Sequence, residues 1–290
     1  MRVDRPETLK QALEALAAEG AKALAGGTNV MVDIKKGREE AEYLVSLDAL
    51  KELKKIDVKP DGIHIGSLVT FTEIEEYLTS HGSEELRSLN ALKEAAALVG
   101  GPQIRNRGTV GGNILCASPS SDSVPALMVL DAVLKLVKAD GAERCVSLAG
   151  FITGVRKTDL QPGELLTEII VPWKRGISCF YKAGARKAMA ISVVNQAMYL
   201  ELGENGVIEK AAVASGSVAP VVVRAPKTEA FLVGKTKERL FGGTNAEIET
   251  ARQMLSEEIA PISDLRAEKE YRLLVACNIL EENLKTLLGG

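Results

Sequence analysis

The amino-acid sequence predicts an α+β fold divided into two domains, and three observations support that prediction. Over residues 1–174, short apolar strands alternate with amphipathic helices, a pattern typical of α/β layers. Beyond Trp173, longer strands follow one another directly, as in an antiparallel sheet, and two helices complete the chain. The composition, 46% hydrophobic and 26% charged over 290 residues, is that of a globular protein with a substantial core. We therefore expect domains at residues 1–174 and 175–290.

The first domain is predicted from apolar periodicity and from capping signals. Three leucines at helical spacing form one apolar face of a helix over residues 8–19, which Gly20 ends. Thr70 and Glu73 form a capping box at the start of a later helix. Further helices are predicted at residues 30–37 and 86–99, and strands at residues 21–25, 42–47, 53–58, 63–68, 132–138 and 164–171.

The second domain is predicted to contain an antiparallel sheet. Asn205 and Gly206 are typical of a hairpin turn between neighbouring strands. Asn245 fits the cap of an amphipathic helix. The predicted strands are residues 178–186, 190–202 and 207–218, and the predicted helices are residues 245–259 and 267–288.

Charge and hydropathy exclude several classes of function. The formal net charge of −3 gives no field that would draw the chain to nucleic acid or to an anionic membrane. The amino-terminal residues lack the apolar core of a signal peptide. The most apolar stretch, residues 124–137, is interrupted by Asp131 and Lys135, so we expect no membrane span.

The cysteines and histidines do not form a recognisable metal or disulfide pattern. The cysteines lie far apart and never occur as Cys-x-x-Cys, which argues against an iron–sulfur cluster, a zinc ribbon or a disulfide framework within this chain. A reducing cytoplasm is the simplest setting for such a chain. His64 and His81 are isolated, so we predict no metal site and nominate no catalytic residue. The cysteines are Cys116, Cys145, Cys179 and Cys277.

Two glycine-containing segments are the strongest candidates for ligand binding. The first glycine segment, residues 25–29 (Ala-Gly-Gly-Thr-Asn), follows a predicted strand and precedes a short helix. The second glycine segment, residues 109–113 (Thr-Val-Gly-Gly-Asn), lies upstream of Asp122, which fits a helix N-cap. Backbone amides with no side-chain bulk around them suit a phosphate group. The same residues fit ordinary strand-to-helix turns, and on their own they leave both interpretations open.

Motifs in a fixed order carry a resemblance to a known family. They are the first glycine segment, the second glycine segment with residues 117–122, residues 163–172, and Phe-Tyr-Lys at residues 180–182. Together they resemble the FAD-binding medium subunit of the molybdenum hydroxylases, which include xanthine dehydrogenase, nicotinate dehydrogenase and carbon monoxide dehydrogenase. The resemblance covers essentially the whole chain.

The resemblance implies a fold and a set of residues that bind FAD. The implied fold is a FAD-binding domain of the vanillyl-alcohol oxidase (PCMH) type, made of two α/β subdomains. A small C-terminal domain with a three-stranded antiparallel sheet and helices would follow it. Neither histidine falls in a motif, so the flavin is expected to be non-covalent. The residues that match the family's FAD contacts are Ala23, Leu24, Ala25, Gly26, Gly27, Thr28, Asn29, Val30, Gly100, Thr109, Val110, Gly111, Gly112, Asn113, Asp122, Leu166 and Lys182.

The resemblance also implies distinct roles for these residues. The two glycine segments would hold the FAD diphosphate, and the second would also reach the ribityl chain. Asp122 would accept hydrogen bonds from flavin-side hydroxyls, Leu166 would lie near the adenine, and Lys182 would reach into the cofactor site. Gly100 would supply a backbone contact, and Ser118 is a weaker candidate.

The function implied is that of one subunit of a larger enzyme. FAD on this chain would take electrons from 2Fe–2S clusters in a small partner subunit and pass them to NAD⁺ or another acceptor. A large partner subunit with molybdopterin would hydroxylate a heteroaromatic substrate such as a purine or nicotinate. Molybdopterin and iron–sulfur clusters are expected only in these partners, and a dimer of heterotrimers is the expected assembly.

Two alternative functions follow from the same residues. The first is a free-standing FAD-dependent reductase of the same flavin superfamily, similar to enolpyruvyl reductases, in which Ser192, Ser215 or Cys179 would have to protonate the substrate. The second is a scaffold in which both glycine segments are merely turns. Thr28 and Asn29 replace the His-Ser pair that the carbon monoxide dehydrogenases favour, which disfavours that substrate.

Overall fold

A computed structural model describes residues 1–38, 40–82, 84–243 and 246–289. Asn245, the predicted helix cap, lies outside these described residues. None of the helices within them is both long and apolar enough to pass through a membrane. The helices are α1 (Leu9–Leu16), α2 (Val30–Lys35), α3 (Phe71–Ser80), α4 (Asn90–Leu98), α5 (Pro102–Arg105), α6 (Val110–Cys116), α7 (Ser123–Val129), α8 (Pro226–Leu232), α9 (Lys237–Phe241), α10 (Ala246–Glu258) and α11 (Lys269–Leu287).

The strands range from two to eleven residues in length. They are β1 (Arg2–Asp4), β2 (Ala21–Leu24), β3 (Tyr43–Ser46), β4 (Ile56–Lys59), β5 (Gly62–Gly66), β6 (Val133–Lys138), β7 (Glu143–Ser147), β8 (Ile152–Gly154), β9 (Lys157–Thr158), β10 (Glu164–Pro172), β11 (Ile177–Gly184), β12 (Ser192–Leu202), β13 (Ile208–Gly216) and β14 (Val223–Arg224).

The chain folds into two compact units, and neither is continuous in sequence. Unit 1 comprises residues 1–74, 102–117 and 131–173, and unit 2 comprises residues 75–101, 118–130 and 174–290. The division of the sequence at residue 174/175 into two domains stays a proposal.

Unit 1 contains two main sheets of different type. A three-stranded parallel sheet has the order β1-β3-β2, and a five-stranded antiparallel sheet has the order β4-β5-β10-β6-β7. The helix α1 begins where predicted, because the Thr8 hydroxyl accepts a hydrogen bond from the Gln11 amide. One apolar cluster joins α1 to strands of both sheets through Ala12, Leu13, Val45, Leu47, Leu50, Leu53, Leu68, Val137 and Leu165.

Unit 2 is organised around a four-stranded antiparallel sheet of order β11-β12-β13-β14. Three of its strands are long and one has two residues, so the predicted three-stranded sheet gains a short fourth edge strand. A hairpin joins β12 to β13 as predicted, but its connection spans residues 203–207 and contains a short 3₁₀ turn at Glu204–Gly206. Asn205 and Gly206 have φ 63° and 70°. Helices α8, α10 and α11 pack around a core in which Val194, Met198, Leu232, Leu255 and Leu280 are fully buried.

Two predicted features of secondary structure are wrong. The strand expected at residues 53–58 begins only at Ile56, and a 3₁₀ turn occupies Lys51–Lys54. That turn places both Leu50 and Leu53 in the core, which an extended strand with alternating faces could not do. Asp122 stands at the N-cap position of α7, yet its side chain does not cap the helix.

Candidate functional site

The first glycine segment connects β2 to α2 in unit 1. Ala23 and Leu24 belong to β2, which pairs in parallel with β3. Gly27 has φ +73°, a conformation that favours glycine, so the chain can turn sharply before Val30 begins α2. The segment is therefore held between a paired strand and a helix, as the sequence predicted.

Gly26 lies directly against the peptide that precedes the second glycine segment. A Cβ atom on Gly26 would lie 1.7 Å from the Arg107 carbonyl oxygen, so only glycine fits there. A Cβ atom on Gly108 would lie 3.6 Å from the Thr28 hydroxyl oxygen. The fold thus brings the two residues just before the second glycine segment to the first segment, although about 80 residues of sequence separate them (107 − 26 = 81).

The backbone amides of the first glycine segment are available to a ligand. Among the hydrogen bonds of the described residues, none uses the amides of residues 26–29. Backbone amides that lack a protein partner need water or a ligand as acceptor. Four consecutive amides beside a glycine pair match the chemistry of a phosphate-binding loop.

The second glycine segment differs from the first, because its amides donate to protein acceptors. The amides of Val110 and Gly111 donate to the carbonyls of Val69 and Ser67, both at 3.0 Å. The Gly112 amide donates to the Thr109 hydroxyl at 3.1 Å, so Thr109 is the N-cap of α6. These amides are therefore not open to a phosphate.

The glycines of the second segment are required by packing. A Cβ atom on Gly111 would lie 2.7 Å from both the Cβ and the carbonyl oxygen of Ser67. A Cβ atom on Gly112 would lie 2.8 Å from the Thr109 hydroxyl. Neither glycine has a positive φ. The segment forms a tightly packed wall, and the Asn113 amide is likewise used, donating to the Thr109 carbonyl at 3.0 Å.

In unit 2, Asp122 and Lys182 form a buried ion pair. The Lys182 Nζ lies 2.6 Å from Asp122 Oδ2, and the two side chains are 7% and 9% exposed. Asp122 Oδ1 accepts hydrogen bonds from Ser192 Oγ at 2.6 Å and from Asn195 Nδ2 at 2.8 Å. A carboxylate offers about four acceptor positions, and these three donors occupy three of them. Ser192 and Asn195 were not predicted as part of this network, because they follow the Asp122 motif by about 70 residues.

Lys182 also fixes the end of α4. Its Nζ donates to the Leu98 carbonyl at 2.9 Å, two residues before Gly100. Gly100 has φ +51°, so a side chain there would strain the backbone. Lys182 thus contacts the backbone two residues before Gly100.

The remaining predicted residues have mainly structural surroundings. Leu166 is 1% exposed and pairs with Leu136 in the interior of the five-stranded sheet. Ser118 Oγ lies 3.1 Å from Ser120 Oγ in a local turn. Within the described residues, no group of three or more histidine, cysteine or acidic side chains is arranged to hold a metal ion.

Comparison with known proteins shows which family the chain belongs to. Residues 1–174 match the family model of the FAD binding domain in molybdopterin dehydrogenase. The chain belongs to this family. Residues 179–287 match the family model of the CO dehydrogenase flavoprotein C-terminal domain. Both halves of the chain therefore match domains of molybdenum hydroxylase flavoproteins. The resemblance and the predicted fold class are confirmed, and the enolpyruvyl-reductase alternative has no support from these matches.

Individual relatives extend over most of the chain. It is 36% identical over 218 residues to the nicotinate dehydrogenase FAD-subunit of Eubacterium barkeri, covering 73% of this chain and 71% of that protein. It is 34% identical over 275 residues to the xanthine dehydrogenase FAD-binding subunit of Escherichia coli O157:H7, covering 93% and 89%. The solved structure of quinoline 2-oxidoreductase from Pseudomonas putida 86 has a TM-score of 0.90 at 25% identity, covering 100% of this chain and 97% of that one. In the xanthine dehydrogenase of Oryza sativa subsp. japonica, the match spans only 18% of a much longer protein.

The residues of this molybdenum hydroxylase flavoprotein fit the cofactor that its family binds. A diphosphate carries negative charge and many acceptor oxygens, and the first glycine segment presents amides without competing acceptors. Gly26 itself carries no side chain, and the Arg107 peptide fills the space where its Cβ would lie. The first glycine segment is therefore the part of the chain whose chemistry suits FAD most directly.

Proposed function

We propose that this chain is the electron-output subunit of a molybdenum hydroxylase complex. In this proposal it binds FAD non-covalently, receives electrons from 2Fe–2S clusters of a small partner subunit and delivers them to NAD⁺ or another acceptor. The observation that carries the FAD part is the first glycine segment, whose four amides at residues 26–29 have no acceptor among the described residues.

The chain's own residues would bind and orient the cofactor. Amides of the first glycine segment would donate to the diphosphate. Ala25 is the first residue of that segment, and Val30 follows it directly. Thr109 and residues 110–113 would form the adjoining wall through packing, since their amides are bonded to protein. FAD, when bound, supplies the redox chemistry, and the protein supplies binding, orientation and electrostatic environment.

For the residues of unit 2, the proposal rests on the family motif and on burial. Asp122 keeps about one acceptor position beyond its three protein donors, so it can accept one hydroxyl of a ligand. Lys182 carries its charge into a buried setting, which is costly unless it is paired. We propose that the Gly100 backbone contacts FAD and that the Leu166 side chain makes an apolar contact near the adenine.

The substrate class is proposed to be an N-heteroaromatic compound. The relatives named above are a nicotinate dehydrogenase, a xanthine dehydrogenase and a quinoline 2-oxidoreductase, and each name refers to such a compound. Hydroxylation would take place on molybdopterin in a large partner subunit. We further propose a dimer of heterotrimers in the cytoplasm as the working assembly.

The decisive experiment is native purification of the chain with its associated proteins. We expect a yellow complex that contains molybdenum and iron, releases unmodified FAD when the protein is unfolded in acid, and oxidises one member of a purine, nicotinate and quinoline panel. A chain that releases no FAD would refute the FAD assignment. Release of FAD from a chain that carries no associated molybdenum or iron would refute the proposed partner subunits. It would not refute the proposal that this chain binds FAD.

A further inference from the structure

A buried carboxylate lies immediately behind the first glycine segment. Asp33 is on α2, and its side chain is only 3% exposed. Its carboxylate accepts a hydrogen bond from Asn29 Nδ2 at 3.2 Å, and its amide donates to the Asn29 carbonyl at 3.0 Å. Because Asn29 is the last residue of the first glycine segment, the position of Asp33 sets the exit of that segment.

Arg156 supplies the charge that this carboxylate needs. Its Nη1 lies 2.8 Å from Asp33 Oδ2, and its hydrogen bond holds the pKa of Asp33 below the ordinary value. Arg38 is the next cation, at 3.9 Å from the other carboxylate oxygen. A buried carboxylate without a partner is strongly disfavoured, so Asp33 holds its position only while a cation reaches it.

The backbone of Arg156 is attached to a different part of unit 1. Its amide donates at 3.0 Å to the carbonyl of Ala117, the C-cap residue of α6. Both residues have left-handed backbone conformations, with φ 58° for Arg156 and 46° for Ala117. Such conformations are unfavourable for residues other than glycine, so this turn is held by its surroundings. The helix α6 begins in the second glycine segment.

We infer that Arg156 is a positioning residue for FAD, joining the first glycine segment through Asp33 to the helix that carries the second. This inference rests on the proposed function. The physical reason is preorganisation: amides that are already fixed in place bind a diphosphate without a further loss of conformational entropy. Arg156 acts on the first glycine segment through the Asp33 side chain, and its own backbone is tied to the Ala117 carbonyl.

The test is a titration of FAD into the flavin-free full-length chain, followed by quenching of flavin fluorescence. Arg156→Ala is expected to raise the Kd for FAD about tenfold or more, as loss of an outer supporting contact commonly does. Arg156→Lys keeps a cation within reach of Asp33 and is expected to restore most of the affinity. Asp33→Asn should resemble Arg156→Ala, and the double variant should be no worse than either single variant, because both remove the same interaction.

A matched control separates positioning from general loss of an ion pair. Lys135 Nζ and Glu143 Oε2 also lie 2.8 Å apart in unit 1, on neighbouring strands of the five-stranded sheet. Lys135→Ala is expected to leave the Kd for FAD unchanged. An unchanged Kd in Arg156→Ala overturns the inference, and so does an equal loss in Lys135→Ala. If the unmodified chain binds no FAD, the proposed function itself fails, and the inference fails with it.

Discussion

Gly26→Ala tests the contact that brings the two glycine segments together. The new Cβ atom would lie 1.7 Å from the Arg107 carbonyl oxygen, whereas real Cβ contacts stay beyond 3.0 Å, so the two backbones must separate by at least 1.3 Å (3.0 − 1.7). The obstacle is backbone and cannot rotate away. Loss of the support that holds a binding group in place commonly costs about 10–100-fold in affinity, so we expect the Kd for FAD to rise by about that factor. Overpacking should also cost about 1–3 kcal/mol of unfolding free energy.

The assay measures FAD affinity and stability separately. Flavin fluorescence gives the Kd, and urea unfolding of the flavin-free chain gives the stability. Gly20→Ala is the control, because Gly20 has φ +74° and no atom within 4 Å of an added Cβ. It should lose about 1 kcal/mol from backbone strain with no change in Kd. Gly112→Ala meets only the Thr109 hydroxyl at 2.8 Å, so its effect should be smaller. Unaltered FAD affinity in Gly26→Ala would refute the argument that this contact shapes the site.

Three further predictions concern unit 2. Lys182→Met leaves the buried Asp122 carboxylate without a cation, so unfolding free energy should fall by about 3–5 kcal/mol, and adding Asp122→Asn should recover much of it in urea titrations. Burial raises the pKa of Glu94, so its carboxylate destabilises the fold as pH rises above about 4.5. The stability of Glu94→Gln relative to the parent should therefore increase as pH rises above about 4.5. Hydrogen bonding, first from the Arg266 amide, lowers the pKa of Asp264 to about 2, so its contribution is complete above about pH 3.8 and disappears as pH falls through 2. Asp264→Asn should therefore flatten the acid limb of the stability curve, and an unchanged acid limb would contradict this.

Local signals in the sequence were enough to predict much of the fold. Thr70 and Glu73 form the expected capping box, in which the Thr70 amide donates to Glu73 Oε2 at 2.7 Å and the Glu73 amide to Thr70 Oγ1 at 3.3 Å. These interactions span three residues, so the local sequence specifies them. The strand β1 was missed because three residues are too few to show periodicity, and it exists only through pairing with β3.

The candidate site was predicted less completely, for a physical reason. The first glycine segment is recognisable because its properties depend on its own small residues. The amides of the second segment were expected to be open, but the carbonyls of Ser67 and Val69 approach them from a distant part of the chain. Arg156 and Asp33 are 123 residues apart in sequence, and neither stands in a distinctive motif. Only the folded chain reveals such a pair.

The interleaving of the two units has a consequence for synthesis on the ribosome. Helix α4 packs on β11, where the Ala91 amide donates to Ser178 Oγ at 2.8 Å. At about 5–20 residues per second, the 79 residues that separate the end of α4 from the start of β11 (177 − 98) take roughly 4–16 s to emerge. During that interval Leu92 and Ala95, buried in the finished protein, lack the strand that later covers them. We therefore expect this apolar face of the nascent chain to stay uncovered until β11 emerges, and slower translation would lengthen that exposure.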